Sequence, residues 1–217
     1  MSQTTSIADI RTQYAQKSLL EADALPDALA QFGRWWDDAI QSQLTEVNAM
    51  TLATAEADGT PDARIVLLKN FSSDGFTFFT NYESRKGREL AANPRACLVF
   101  FWKELERQVR ISGMVAKISK EESEAYFYSR PIGSQIGALA SRQSTVLEGA
   151  GQLEKRVATL QAEHQEGKKI EKPDYWGGYI VKPMAIEFWQ GRPNRLHDRL
   201  RYTRQEEGDW KIERLAP

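Results

Sequence analysis

The 217-residue sequence holds one cysteine, Cys97, and two histidines, His164 and His197. One cysteine allows no intramolecular disulfide and excludes a cysteine-based zinc site within a chain. Two histidines exclude a multi-histidine metal cage. Charge of one sign is also missing. Lys+Arg 29 against Asp+Glu 30 leaves a formal net charge of -1, which argues against nucleic-acid binding by bulk charge. No apolar run approaches the ~20 residues of a membrane span. The opening "MSQTTSIADI" lacks the basic and apolar regions of a signal peptide. The expectation is a cytoplasmic protein with neither a membrane nor a nucleic-acid partner. Two catalytic signatures are absent as well, G-x-x-x-x-G-K-[ST] and G-x-S-x-G. "GAGQLE" begins like a dinucleotide fingerprint, but Glu154 stands where the third glycine belongs and no strand precedes it. It reads as a loop entering a helix.

What is present fits a folded domain: 41% hydrophobic and 27% charged residues. Ile7, Ile10 and Tyr14 fall at helical spacing, with Ser6 and Asp9 as a starting cap. Pro26 opens a second helical segment in which Leu29, Phe32, Trp36 and Ile40 share one face. From Ala49 the texture turns to β. Asp58-Gly59 and Asp74-Gly75 each lie between β-rich runs, a strong hairpin signal. They predict three antiparallel strands in succession. "SRKGRELAANP" reads as a short helix ended by Pro94. "RACLVFFW" and "RQVRISGMVAKIS" read as strands, the latter alternating through Val109, Ile111 and Val115. Two short helices follow in "KEESEAYFYSRP" and "SQIGALASR". An amphipathic helix carries Leu153, Val157 and Leu160, and "WGGYIVKPMAIEFWQ", "LRYTRQ" and "DWKIERL" return to β. Many strands joined by tight turns predict an antiparallel barrel with helices packed outside. The expected organisation is a helical segment over 1–45 and a barrel domain over 46–217.

Four polar clusters interrupt this pattern. Arg64 and Lys69 bracket "IVLL" and fall on opposite faces of a regular strand; they either frame a core strand or serve a ligand. Ser84-Arg85-Lys86-Gly87-Arg88 sets cations at a helix N-terminus, which is unfavourable unless an anion binds there. Tyr126 and Arg130, four apart, precede Ser134 across Pro131 and form a phosphate grip or a surface helix. "FWQGRPNRLHDRLRY" (Phe188 to Tyr202) packs four arginines and His197 around one acid, beside the short patch "SRQS" (Ser141 to Ser144). Together they offer cations for two phosphates, each charge-assisted bond contributing about 1.5–3 kcal/mol. No nucleophile or metal cage accompanies them. The pattern suggests a phosphorylated cofactor that carries the chemistry, with a phosphorylated substrate beside it.

"RIVLLK", "SRK", "LERQVR", "YFYSRPIGSQIGA", "SRQS", "WGG", "IEFWQG" and "RLHDR" closely resemble, in order, the pyridoxine/pyridoxamine 5'-phosphate oxidases. The resemblance runs from about Ala49 to the terminal "RLAP" and includes "RTQY" near the start. It implies a mostly β fold with α, the FMN-binding split β-barrel with peripheral helices. It implies a homodimer with FMN at the subunit interface. The implied reaction is oxidation of pyridoxine or pyridoxamine 5'-phosphate to pyridoxal 5'-phosphate, with O2 reduced to hydrogen peroxide.

Carried onto this chain, the resemblance implies that Arg64, Ile65, Val66, Leu67, Leu68 and Lys69 line the flavin. Phe79, Thr80, Arg85 and Lys86 hold it, the basic pair through its phosphate. Gln108, Gln143, Ser144, Trp189 and Arg199 complete the flavin site. Lys69, Tyr126, Arg130 and Ser134 would grip the substrate phosphate. Arg195, Leu196 and His197 would lie at the substrate ring, with Arg195 and His197 in the catalytic role. Arg11 and Tyr14 would belong to an N-terminal lid, although Thr12 or Gln13 stands where the family motif often carries a charge. Two other readings are a split-barrel flavin reductase or dehydrogenase with another substrate, and a flavin- or vitamer-binding protein without turnover.

Overall fold

Asp27 starts the first helix by accepting a hydrogen bond from the Ala30 N–H at 2.7 Å, which satisfies one of the free donors at a helix start. In the computed structural model, which describes residues 14–164 and 169–217, this helix is α1 (Ala28–Gln41). The expected helix around Ile7 and Ile10, and Arg11 with it, lie outside the described residues. The buried face of α1 is centred one residue away from the expected one. Leu29, Phe32, Trp35 and Ala39 are buried, Trp36 is half-buried and Ile40 is exposed. Trp35 takes the inner place because Arg107 stacks on its ring at 4.3 Å while bonding Asp38 one turn on at 2.7 Å.

The remaining helices are α2 (Arg85–Ala92), α3 (Lys120–Ser129), α4 (Ile132–Ala140) and α5 (Ala150–Glu163). Among the described residues the strands are β1 (Ala49–Ala55), β2 (Pro61–Leu67), β3 (Asn70–Ser72), β4 (Gly75–Asn81), β5 (Arg95–Trp102), β6 (Arg107–Lys117), β7 (Trp176–Gln190), β8 (Asp198–Arg204) and β9 (Trp210–Arg214). They run in the order β2-β1-β5-β6-β7-β4-β3, with β8 pairing β7 and β9 pairing β8. No described helix is long and apolar enough to cross a membrane.

Both Asp-Gly hairpins form: β1 with β2 and β3 with β4, each antiparallel. The three-strand succession does not. The run from Pro61 to Ser72 is two strands at opposite ends of the sheet order. The chain changes partner within one residue. The Leu68 N–H donates to Asn48 O at 2.8 Å, and the Lys69 N–H donates to Thr77 O at 2.9 Å. Leu68 is buried, so the break is pinned by an apolar anchor.

Chain contacts define two compact units. One holds the chain up to Val47, Val99–Ile111 and Met184–Pro217; the other holds Asn48–Leu98 and Ser112–Pro183. In the first, Phe32 meets Phe100 at 5.4 Å, Trp35 meets Phe188 at 5.2 Å, and Phe188 meets Tyr202 at 5.3 Å. Each such buried ring stabilises the fold by about 1.5–3 kcal/mol. The Tyr202 hydroxyl, buried with it, donates to Leu25 O at 2.9 Å. In the second unit, Phe127, Ile136, Ile170 and Trp176 form a core that ties α3 and α4 to β7, with Val157 and Leu160 of α5 packed against it. In β6, Val109, Ile111 and Val115 are buried, as the alternation requires.

Candidate functional site

A cavity of about 840 Å³ opens in the second unit. One wall is β2, an edge strand whose only partner among the described residues is β1, so its free backbone groups are available to a ligand. Arg64, Ile65, Val66 and Leu67 all line it. Lys69 lines it too, because the chain turns after Leu67 and puts Arg64 and Lys69 on the same cavity rather than on opposite faces. Leu68 does not; it is core.

The cations around this cavity divide into two kinds. The Arg64 guanidinium donates to Asp62 at 2.6 Å, to Glu89 at 3.0 Å and to the Thr54 hydroxyl. Arg85 pairs with Glu89 at 2.9 Å and Asp62 at 3.2 Å and does not line the cavity. Burial works to raise the Glu89 pKa, but hydrogen bonds from Thr54, Arg64 and Arg85 outweigh it and hold the carboxyl below its usual range. Arg64 and Arg85 are therefore already neutralised.

Lys69, Lys86 and Arg130 have no carboxylate partner among the described residues. Lys86 sits in the first turn of α2, whose N-cap is Ser84. It is only 8% exposed, and its Nζ reaches Gln143 Oε1 at 2.9 Å and Ser84 Oγ at 3.4 Å. Burial, then the nearby Arg64, push its pKa down against the pull of Glu89 and Asp62. Gly87 allows this packing, since a Cβ there would stand 2.1 Å from Tyr82 O. Arg130 caps the end of α3 and places its guanidinium 4.7 Å from the Trp176 ring centroid. Its Nη1 is buried and has no acceptor among the described residues. Burial lowers its pKa, so an anion is the missing partner.

Aromatic rings line the same space. Phe79 stacks on Tyr126 at 3.8 Å and on Trp176 at 5.5 Å. Thr80 Oγ1 donates to Gln143 Oε1 at 3.2 Å. Ser134 lies in the first turn of α4, which Pro131 caps, so the helix starts two residues before Ser134. Ser144 has a left-handed φ of 70° and does not line the cavity, although Gln143 does. Sequence reading gave no role to Trp176, Asn81 or the Glu89–Asp62 brace. The "WGG" stretch was the available signal for Trp176.

The first unit carries a second cluster. Trp189 pairs in register with Arg199 across β7 and β8. His197 packs on Trp189 at 4.6 Å, and Tyr14 meets Trp189 edge-on at 5.7 Å and His197 at 6.0 Å. The loop between is strained: Asn194 and Arg195 both have left-handed φ, 56° and 62°. Arg195 and Leu196 are exposed. The Arg192 N–H donates to His197 Nδ1 at 3.1 Å, so the neutral ring carries its proton on Nε2. Burial, then Arg195, lower the His197 pKa. Asp198 accepts from Leu19 N–H at 3.0 Å, Arg192 at 3.1 Å and Arg214 at 2.9 Å. Arg199 Nε donates to Glu187 at 2.9 Å. Gln108 is half-buried on β6.

Family comparison agrees with these features. Residues 36–164 match the pyridoxamine 5'-phosphate oxidase family, and residues 176–217 match the pyridoxine 5'-phosphate oxidase C-terminal dimerisation region. The chain is 58% identical over 215 residues to pyridoxine/pyridoxamine 5'-phosphate oxidase 1 of Ralstonia nicotianae, covering 98% of this chain and 100% of that protein. It is 58% identical over 214 residues to the Thermosynechococcus vestitus pyridoxine/pyridoxamine 5'-phosphate oxidase, with 98% and 100% covered. The crystal structure of PhzG from Burkholderia lata, in complex with tetrahydrophenazine-1-carboxylic acid, superposes with a TM-score of 0.85 at 31% identity, over 92% of this chain and 98% of that one. A pyridoxamine 5'-phosphate oxidase-related, FMN-binding protein of Nostoc punctiforme shares the fold alone, with a TM-score of 0.67 at 17% identity over 88% of this chain and 98% of that one. The fold is the one expected, that of the FMN-binding split barrels, and the chain is an enzyme of the pyridoxine/pyridoxamine 5'-phosphate oxidase family.

Proposed function

We propose that the chain oxidises pyridoxine 5'-phosphate and pyridoxamine 5'-phosphate to pyridoxal 5'-phosphate, as an FMN-dependent homodimer. The observation that carries this reading is the set of unneutralised cations in one aromatic-lined cavity, Lys69, Lys86 and Arg130, with a buried donor on Arg130. Two phosphorylated ligands fit that set; an apolar ligand leaves it unpaired. Lys86, with the free N–H groups of the first turn of α2, would hold the FMN phosphate. Arg130, Tyr126, Ser134 and Lys69 would hold the substrate phosphate. Gln143 and Thr80 would hydrogen-bond the flavin, and the β2 edge would run along it. Arg64 and Arg85 would act indirectly, by fixing β2 and α2 through Glu89.

When bound, FMN would supply a two-electron acceptor for oxidation at substrate C4', with O2 as the final oxidant. Arg195 and His197 orient the substrate. His197 does so as a neutral donor through Nε2–H, since its Nδ1 is occupied by the Arg192 N–H. Arg195 is exposed in its loop and has no carboxylate partner among the described residues, ready for an anionic or hydroxylated ligand edge. Tyr14 lies against Trp189 and His197 as part of a lid. The dimerisation region begins with Trp176, so subunit association and ligand binding involve the same strand β7.

PhzG is the observation for a second reading, a related flavin enzyme with a different, carboxylated ligand. The full-length relatives at 58% identity favour the phosphorylated vitamers. Mass spectrometry of the ligand released on denaturation, with an assay for aldehyde and peroxide from pyridoxamine 5'-phosphate, tests the choice. FMN released and both products formed support the oxidase; riboflavin, no flavin, or no aldehyde would overturn it.

A further inference from the structure

Glu106 has φ 53° and ψ 39°, a left-handed conformation that a glycine would adopt without steric cost. A glutamate stands there instead, 7% exposed, with no cation partner among the described residues. Its carboxylate accepts two backbone hydrogen bonds, from Ala15 N–H at 2.9 Å and Gln16 N–H at 3.1 Å. Its backbone carbonyl accepts from Gly191 N–H at 2.7 Å and Gln190 Nε2 at 3.2 Å. One residue thus holds the chain just after Tyr14 with its side chain and the chain just after Trp189 with its carbonyl. The two rings meet between these anchors. Gly191 completes the seat, since a Cβ there would stand 2.7 Å from Tyr14 Cγ. Residues 14–20 contain neither helix nor strand. Their path is therefore set by side-chain bonds of this kind, to Glu106 and, further on, from Leu19 N–H to Asp198.

We propose that Glu106 is a positioning residue that fixes Tyr14 against Trp189 and His197, acting through the backbone of Ala15 and Gln16. An ionised acceptor suits two converging N–H groups better than a neutral amide does. The left-handed backbone turns the side chain of Glu106 to the Tyr14 segment while its carbonyl stays on β7. The consequence for turnover rests on the oxidase reading above; the positioning itself does not.

The test is hydrogen exchange of the Ala15 and Gln16 amides in the FMN-loaded protein, comparing wild type with Glu106→Gln and Glu106→Gly. Glycine keeps the left-handed turn and removes the carboxylate, so it separates the side chain from the backbone. The expected result is exchange about tenfold faster in Glu106→Gly and an intermediate rate in Glu106→Gln, with the β8 amides of Leu200 and Tyr202 unchanged. Unchanged rates at Ala15 and Gln16 would overturn the proposal, and so would an equal acceleration in β8, which marks general loosening. In parallel, KM for pyridoxamine 5'-phosphate should rise in Glu106→Gly with kcat nearly kept, and adding Tyr14→Ala should raise it no further. If exchange responds while KM does not, Glu106 still positions Tyr14, and it is the role of Tyr14 at the substrate that fails.

Discussion

Arg130 places its guanidinium 4.7 Å from the centroid of Trp176 and keeps Nη1 buried without an acceptor. The ring holds the cation in place, and a buried donor without an acceptor is costly until an anion pairs with it. Arg130→Ala should raise KM for the phosphorylated substrate about 10- to 100-fold, the loss of a charge-assisted grip of ~1.5–3 kcal/mol. FMN should stay bound, as read from absorbance after gel filtration. Loss of flavin with unchanged KM would reverse the assignment of the two phosphates.

Lys86→Met should have effects of opposite sign on stability and binding. Lys86 is buried without a carboxylate partner, and its pKa is pushed down by burial first and by Arg64 second. The folded state therefore disfavours its charge. Below its folded pKa the group costs stability; that cost fades as pH rises from the lowered folded value toward 10.5. Removing the charge should stabilise the flavin-free protein by about 1 kcal/mol and weaken FMN retention about tenfold or more. Calorimetry of the apoprotein and flavin titration check the two signs. A lower apoprotein Tm would contradict the burial argument.

His197 should show its state in pH dependence. Its pKa is lowered from 6.5 by burial first and by Arg195 second. The unfolded chain takes up its proton at higher pH than the folded one does. Stability from this group is thus complete above 6.5 and declines as pH falls from there toward the lowered folded value. Protonation would also put a proton on Nδ1 and break the bond from Arg192 N–H. An acid limb in kcat/KM below 6.5 follows, and His197→Asn should remove it. Asparagine can still accept from Arg192, so it should cost less than Arg195→Leu, for which a loss of about 10- to 100-fold in kcat/KM with FMN retained is expected.

A dimer should be the flavin-binding form. Ile65 and Leu67 on the β2 edge are exposed, at 65% and 37%, although both line the cavity. Sedimentation at decreasing concentration should show flavin loss following subunit dissociation, because a ligand that binds only the dimer stabilises it. A monomer that retains FMN would contradict this.

Much of this was legible in the sequence, for physical reasons. Asp58-Gly59 and Asp74-Gly75 mark two hairpins because each glycine takes a positive φ, 90° and 139°, that other residues rarely adopt. Pattern alone did not show that Leu68 and Lys69 hand the chain from one strand to another, since "RIVLLKNF" holds no glycine or proline to mark the break. That break is what brings Arg64 and Lys69 to one cavity. The inner face of α1 was misplaced by one residue because Trp35 and Trp36 are equally apolar; the cation of Arg107 decides between them. The basic clusters were visible, but not which cations were free. Arg85 looks like a ligand residue until Glu89, one helical turn on, and Asp62, distant in sequence, are seen to occupy it. Glu106 carried no signal, because its partners are backbone groups about ninety residues away.

The most direct measurement is the stoichiometry of turnover with and without the substrate phosphate. Purified, FMN-loaded protein is given pyridoxamine 5'-phosphate, pyridoxine 5'-phosphate or their dephosphorylated forms, and O2 uptake, hydrogen peroxide and aldehyde are followed together. One aldehyde and one peroxide per O2 are expected with both phosphorylated substrates, and kcat/KM at least about 100-fold lower without the phosphate, as loss of several charge-assisted contacts requires. O2 uptake without aldehyde, or equal kcat/KM for the dephosphorylated compounds, would contradict it.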